Sequence, residues 1–551
     1  MATSGPVLLV SQAQQRKSRT YTPSPWGDFF LHHVPCTPSQ LLSMKERAKV
    51  KEQQVRQIIH ETIASSDLLR KMELVDTLQR LGVDYHYNEE IDQLLCSIYD
   101  HHDDGGDGLD DLYVTSLRFY LLRKHGYTIS SDVFEKFRDE SGAIVSGDDA
   151  SCLLMLHDAA HARTHGEEIL DGIVAWSKSR LQSLVVQKNL LEPELAEEVK
   201  CALETPRFRR VKRVEARRYI PVYEKKSTRD ETILEFAKLD YNISQAIYCD
   251  ELKELTIWWN DFRSHIDLSF ARDRMVELHF WMLGVIHDPY CSRIMIVKIF
   301  VFIRLFDDLM DNYSTTEESN VFTAAMERWD EQMAQQLPAG LKALLVRIFN
   351  ATNKIEEELK LQGNMHAELI KKMVINSAKF YHAEVKWRNK HFVPTSLEEH
   401  LEKSIPTSAC MQMANLALVS LGNVTTREDV EWVFTFPKII RGACIVGRIA
   451  NDIVSHEREQ ASSDHVASTV QTCMKQYNVT IKEANEKLRA VIEEAWMDIV
   501  QDSLEQERPR ALLDIAINVA RVADFMYKRE DAYTLSFVIK DIIASMYIYS
   551  V

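Results

Sequence analysis

Apolar residues return at helical spacing through most of this chain. From Ser39 to Gly82, and again from Asp110 to Gly126, positions such as Leu112, Val114, Leu117, Tyr120 and Leu121 recur every three or four residues, the period of an amphipathic helix. Past the basic cluster Arg207 to Arg218 the periodicity runs almost unbroken to the C-terminus, with no repeat length. Two segments depart from the one-sided pattern. Ile299 to Phe306 is apolar on nearly every side apart from Arg304, and Lys438 to Ala450 is strongly apolar, so both helices are expected to be buried. The breaker Thr22-Pro23-Ser24-Pro25 precedes Trp26, where order is expected to begin.

Composition sharpens this into a fold class. Gly (17) and Pro (14) are both scarce among 551 residues, and 45% of the chain is apolar, which favours long helices over turn-rich strands. The expected class is all-α. That length exceeds what one core usually organises, so two domains are expected, 1–222 and 223–551. The boundary is set by the shift from the basic cluster through Tyr219-Ile220-Pro221-Val222 to the polar stretch Glu224 to Glu231. Asp103 to Asp111 superficially resembles a calcium loop. Gly105 and Val114 stand where that loop needs oxygen ligands, so it reads as a solvated loop.

A formal charge of −16 argues against nucleic-acid binding and against a basic lipid-facing surface. Nine cysteines are scattered singly without a C-x-x-C pair, which suggests a reducing compartment and neither zinc nor a disulfide framework. The most apolar run, Ile294 to Phe306, is broken by Lys298 and Arg304 and is shorter than the ~20 residues of a membrane span. No signal peptide is read at the N-terminus.

Candidate chemistry begins where the first apolar helix runs into Asp307-Asp308-Leu309-Met310-Asp311. Asp307 and Asp311 are one turn apart on a single face, and paired carboxylates there repel unless a cation lies between them. Magnesium fits, because it takes oxygen ligands and pairs one or two carboxylates with substrate phosphate. After the second apolar helix, Asn451, Ser455 and Glu459 are spaced i, i+4, i+8 and drift only ~80° around the axis, a stripe suited to a second magnesium site. Arg448 precedes Asn451 on the same helix, and Arg272-Asp273-Arg274 lies upstream of the aspartates. Guanidinium groups suit multidentate contact with diphosphate.

These marks together resemble the plant class I terpene synthases, specifically the sesquiterpene synthases of grasses. The likeness spans nearly the whole chain. It rests on Arg16-Lys17 separated by eight residues from Trp26, Asp111-Leu112-Tyr113 through Ser116-Leu117-Arg118-Phe119, Leu234 to Asp240, Ser269 to Arg274, and the two metal motifs in order. The resemblance implies a C-terminal class I terpenoid-synthase fold with a central cavity, and a catalytically silent, α-barrel-like N-terminal domain, which carries no D-x-D-D acid motif.

It further implies that Asp307 and Asp311, with Asp308 nearby, hold two magnesium ions, and that Asn451, Ser455 and Glu459 hold a third, with manganese able to substitute. Arg272, Arg274 and Arg448 would grip the diphosphate of a prenyl diphosphate. Trp281, Tyr527 and Tyr533, with Asp531 between the tyrosines, would form the aromatic pocket that stabilises a carbocation. Thr407-Ser408-Ala409 matches the family's helix break, and the segment around Arg16 to Trp26 would fold over the cavity mouth.

Three positions depart from the family pattern: Arg16-Lys17 replaces its commoner pairs, Ala532 stands where glycine is frequent, and Gln460 where a base is frequent. Only fifteen residues precede Arg16, which favours a cytoplasmic enzyme acting on farnesyl diphosphate; a monomer is implied. A chain-elongating prenyl transferase and a non-catalytic helical scaffold are the competing readings. The first normally repeats the DDxxD pattern at its second site.

Overall fold

The computed structural model describes residues 21–101, 111–139, 144, 149–186, 191–287, 292–390, 392–461 and 466–551. The acidic loop around Asp103 and the Arg16-Lys17 pair lie outside these residues. Among those described, α-helices joined by short 3-10 turns make up the ordered structure, with one isolated antiparallel bridge, Arg138 to Ile144.

Local signals start and stop these helices where the sequence places them. The periodic stretch from Ser39 to Gly82 forms two helices, Pro38–Ile63 and Leu68–Leu81. Thr37 opens the first through a reciprocal capping box with Gln40, and Asp67 opens the second by accepting from the Arg70 amide. Gly82 closes it in the left-handed region at φ 72°, and a Cβ there would stand 2.8 Å from that of Ala216. That close approach locks the Leu68–Leu81 helix against the helix Lys212–Glu224. Asp111 caps Leu112–Lys124, and Asp230 caps the 33-residue helix Glu231–Arg263 by accepting from the amides of Thr232 and Ile233.

The composition shift at Val222 falls inside the helix Lys212–Glu224, which accommodates Pro221; the chain leaves helix between Lys225 and Asp230. One large hydrophobic core runs through both halves, from Phe30 and Ile59 to Val500 and Tyr547, beside a small separate cluster of Leu153, Leu181 and Val199. The long helix Glu231–Arg263 packs on Pro38–Ile63 and ties the halves together. In the C-terminal half, the Lys438–Gln460 helix packs on Ile481–Glu505, Arg510–Met526 and Cys410–Ser420. The Arg293–Asn312 helix packs on Leu369–Asn389, Met275–Val285 and the same Cys410–Ser420 helix. As the apolar pattern requires, every residue from Ile299 to Phe306 is buried except Arg304. Two apolar helix stems thus lie in the core, and each delivers a polar end to one place.

Candidate active site

That place is a cavity lined by Asp307 and Asp311 from the Arg293–Asn312 helix and by Arg448, Asn451 and Glu459 from the Lys438–Gln460 helix. Burial, followed by repulsion from Asp307, pushes the Asp311 carboxyl up to about 7, and Glu459 contributes to the same shift. The two motifs therefore face each other across one space. Glu459 is also pushed up to about 7, by burial and then by Asp452. Ser455 is buried beside Glu459, and its hydroxyl makes no well-formed hydrogen bond.

Cations surround the carboxylates. Asp307 pairs with Arg272 and with Arg304, each at 2.7 Å. Asp308 turns away from the cavity lining: it is 1% exposed and accepts from the Arg272 amide at 2.8 Å and its Nε at 2.7 Å. Its role here is to orient Arg272. Arg448 donates to the Thr407 hydroxyl at 2.8 Å, with Asp452 at 3.6 Å and Glu384 at 3.8 Å.

Arg274, expected on the diphosphate, is placed differently. It is 2% exposed, and its guanidinium donates to the carbonyls of Asp273, Tyr533, Thr534 and Thr22. A cation saturated by backbone oxygens pins the segments it touches and does not face the cavity.

The aromatic residues form one cluster beneath the polar rim. Trp281 meets Tyr527 edge-on with ring centroids 5.6 Å apart and Tyr533 at 5.9 Å. Arg304 and Arg272 lie over the Tyr533 ring at 4.5 and 4.8 Å. Tyr527 lines the cavity; Trp281 and Tyr533 are buried behind it. Asp531 accepts from Arg458 at 2.5 Å and from the Thr534 amide at 3.0 Å. Burial works against its charge, but Arg458 and Arg272 hold its carboxyl below the usual range.

The helix break is present. Leu397–Ser404 gives way to a 3-10 turn over Ile405–Ser408, and Ala409 takes φ 63° before Cys410–Ser420 begins. Ser408 lines the cavity, while the Thr407 carbonyl accepts from the Tyr381 hydroxyl at 3.2 Å. Gly447 lets the second motif helix approach this break, since a Cβ there would stand 2.7 Å from Cys410 Sγ. At the mouth, Tyr21 accepts from the Asn312 amide at 2.9 Å and lies 5.4 Å from the Arg272 guanidinium. The described end of the N-terminal segment does fold over the cavity.

Several lining residues carry no sequence motif. Glu384 and Arg388 come from the Leu369–Asn389 helix. Burial pushes the Glu384 carboxyl up to about 8. Arg388 donates to the carbonyls of Met310 and Asp311, the latter at 2.8 Å, which satisfies open acceptors at the end of the aspartate helix. Arg304 was visible only as a charge interrupting an apolar run. Arg458 supplies the cation that Gln460 does not; Gln460 instead accepts from Gln471. The Ala532 departure is accommodated, because that residue does not adopt a left-handed φ.

The donor set fits magnesium. Asp311, Glu384 and Glu459, the second buried and the others half-buried, are carboxylates whose proton affinities are raised by desolvation, the state that an oxygen-seeking divalent cation relieves. Among the described residues no three His, Cys, Asp or Glu side chains form a metal cage by themselves. A site spread over two helices, using Asn and Ser and leaving room for phosphate oxygens, has that character.

Comparison with known proteins agrees with this geometry. Residues 260–498 match the terpene synthase family metal binding domain and residues 25–203 the terpene synthase N-terminal domain. The chain is 50% identical over 527 residues to an (E)-beta-caryophyllene synthase of Zea mays, covering 95% of this chain and 94% of the relative. It is 41% identical over 552 residues to a beta-sesquiphellandrene synthase of Sorghum bicolor, covering 100% and 99%.

Among solved structures, a limonene synthase with 2-fluorolinalyl diphosphate superposes with a TM-score of 0.88 at 28% identity, covering 98% of this chain and 100% of the other. An isoprene synthase from grey poplar, in complex with three Mg2+ ions and dimethylallyl-S-thiolodiphosphate, superposes with a TM-score of 0.83 at 28% identity, covering 96% and 99%. Two buried helices presenting facing polar stripes, and full-length likeness to these enzymes, place the chain in the terpene synthase family.

Proposed function

We propose that this protein is a magnesium-dependent sesquiterpene synthase that ionises farnesyl diphosphate, guides the carbocation through cyclisation or rearrangement, and releases diphosphate with a sesquiterpene hydrocarbon or alcohol. The observation that carries the reading is the convergence of Asp307 and Asp311 with Asn451 and Glu459 around one cavity ringed by arginines, with Ser455 buried beside Glu459. Its grass relatives support a fifteen-carbon substrate.

Asp307, Asp311, Asn451, Ser455 and Glu459 would hold three magnesium ions, or manganese in their place, and Asp308 would support them through Arg272. The ions would supply Lewis-acid dispersal of charge on the leaving diphosphate. Arg272, Arg304, Arg448 and Arg458 would hold its oxygens and keep it from recombining. Tyr527, backed by Trp281 and Tyr533, would offer electron-rich faces and no nucleophile, while Tyr21 would help exclude water from the mouth. Asp531 would keep Arg458 in place.

Among the described lining residues only Tyr21 precedes Arg272, which supports a division into a silent domain, 1–222, and a catalytic one, 223–551. The eight cysteines among the described residues are all unpaired, which supports a reducing, cytoplasmic setting. No described helix is long and apolar enough to cross a membrane. Light scattering after size exclusion tests the monomer that this reading includes.

The decisive experiment incubates purified protein with farnesyl diphosphate, with and without magnesium, and analyses volatiles and diphosphates. Cyclic or rearranged fifteen-carbon volatiles that require the metal are expected. Longer diphosphates would indicate chain elongation instead, and the absence of any product a non-catalytic scaffold.

A further inference from the structure

A second, smaller cavity lies at the seam between the two halves, away from the site just described. Six cationic side chains line it: Arg80, Lys124, Arg207, Arg210, Lys212 and Arg521. Glu215 is the one carboxylate among the lining residues, with Gln79 and Tyr120 completing the wall. The cations come from the helices Leu68–Leu81 and Leu112–Lys124, the segment around Arg207 and Arg210, the start of the helix Lys212–Glu224, and the helix Arg510–Met526 of the C-terminal half.

Four of the six have acidic partners. Arg80 pairs with Glu198 at 2.7 Å and Glu215 at 3.2 Å, Arg210 with Glu215 at 3.2 Å, Arg207 with Asp76, and Lys212 loosely with Asp514 at 3.5 Å. The other two do not. Lys124 donates to the neutral Gln79 side chain at 2.6 Å; Arg521 donates to the Phe208 carbonyl at 2.7 Å and to Asn518 at 2.9 Å. Among the described residues neither forms an ion pair with any carboxylate within 4.0 Å. Arg521 is 3% exposed. A cation with no direct ionic partner is costly where water is scarce; Asp514 and Asp84 offset that cost for buried Arg521, and Asp84 for half-buried Lys124, only from beyond ion-pair distance.

We propose that this cavity binds one small phosphoryl oxyanion, with Lys124 and Arg521 as its principal donors and Lys212 at the rim. At about 30 Å³ the space holds roughly one water and does not enclose a phosphate, but Lys124 and Lys212 are only half-buried, so a tetrahedral anion would seat one or two oxygens in the cavity and leave the rest toward solvent. The lysine and guanidinium donors are the types that bind phosphate oxygens most strongly. Burial first, and then the positive charges of Lys212 and Arg521 against the opposing pull of Asp84, bring the Lys124 ammonium down to about 7, a shift that a bound anion would oppose. Because its ligands come from both halves, a bound anion would act as a cross-brace between them.

The test uses the full chain in EDTA, so that no metal recruits anions to the other cavity. Isothermal titration with inorganic phosphate, with diphosphate, and with sodium chloride at matched ionic strength is paired with thermal denaturation. One-to-one binding of phosphate or diphosphate, with a rise in melting temperature that chloride does not reproduce, is expected. Lys124→Gln and the more exposed Lys212→Gln should each weaken it about tenfold, as loss of a charge-assisted bond implies. Arg448→Ala should leave it unchanged.

Binding of phosphate would identify the free ion as ligand, and binding of diphosphate alone would identify the larger anion. Equal stabilisation by chloride would overturn the proposal. So would binding that survives both lysine substitutions or that disappears in Arg448→Ala.

Discussion

Replacing Glu384 by Gln should make the folded protein more stable, and increasingly so as pH rises. Glu384 lies in the active-site wall, where it accepts from the Thr407 hydroxyl and has Arg448 at 3.8 Å; Gln keeps an acceptor of the same shape. Burial lifts its carboxyl from 4.5 to about 8, so the folded state holds a proton that the unfolded chain has released. Stability then falls as pH rises from the unfolded to the folded value, the reverse of an ordinary salt-bridged carboxylate.

At about 1.4 kcal/mol per tenfold change in proton affinity, the charged form costs the folded state up to about 5 kcal/mol. Asp311 shares that cost, because the two acids titrate together, so roughly 2 kcal/mol is assigned to this substitution between about pH 5.5 and about pH 9. With an unfolding entropy near 2.1 cal/mol/K per residue, a chain of 551 residues responds by about 2 °C. Differential scanning calorimetry of both proteins in EDTA at the two pH values measures it. A variant no more stable than wild type at the higher pH, or an advantage that does not change with pH, would refute the reasoning and show that the Arg448 pair outweighs desolvation.

Three further outcomes follow from the same geometry. Asp307→Ala should abolish turnover of farnesyl diphosphate while circular dichroism stays unchanged; near-normal kcat would count against the assignment. Asp311 and Glu459, both lifted to about 7, must lose protons before they can bind a cation. The magnesium concentration for half-maximal activity should therefore fall as pH rises from about 6 to about 8, and a flat dependence would exclude these carboxylates as ligands. Gly447→Ala places a methyl group 2.7 Å from Cys410 Sγ, and an overpacking cost of about 1–3 kcal/mol should lower the melting temperature; an unchanged value would mean that the helix break yields freely.

The helices and the two metal stripes were legible because both signals are local. Asp307 with Asp311, and Asn451 with Ser455 and Glu459, declare a shared face through spacing alone, and the apolar stems before them declare burial. What stayed illegible depends on partners distant in sequence. Glu384 and Arg388 sit on an ordinary-looking helix, and only folding brings Arg388 to the carbonyls of Met310 and Asp311. Asp308 and Arg274 show the converse limit: a motif names the residue but not the direction of its side chain, and here both are taken up by buried hydrogen bonds. The composition shift through Tyr219-Ile220-Pro221-Val222 lies within the helix Lys212–Glu224, which carries Pro221 without ending there.

The lining of the active site opposes five guanidinium groups to six carboxylates. Such a wall is close to electroneutral, so a bare trianion gains little by entering it. Under the proposed chemistry, each divalent ion shifts that balance by two charges, and affinity for the anion and for the ions must then be reciprocal. On that proposal the pocket would behave as a coincidence detector: it would discriminate against either guest alone and admit them as a set, and so withhold bond cleavage until the whole assembly is in place.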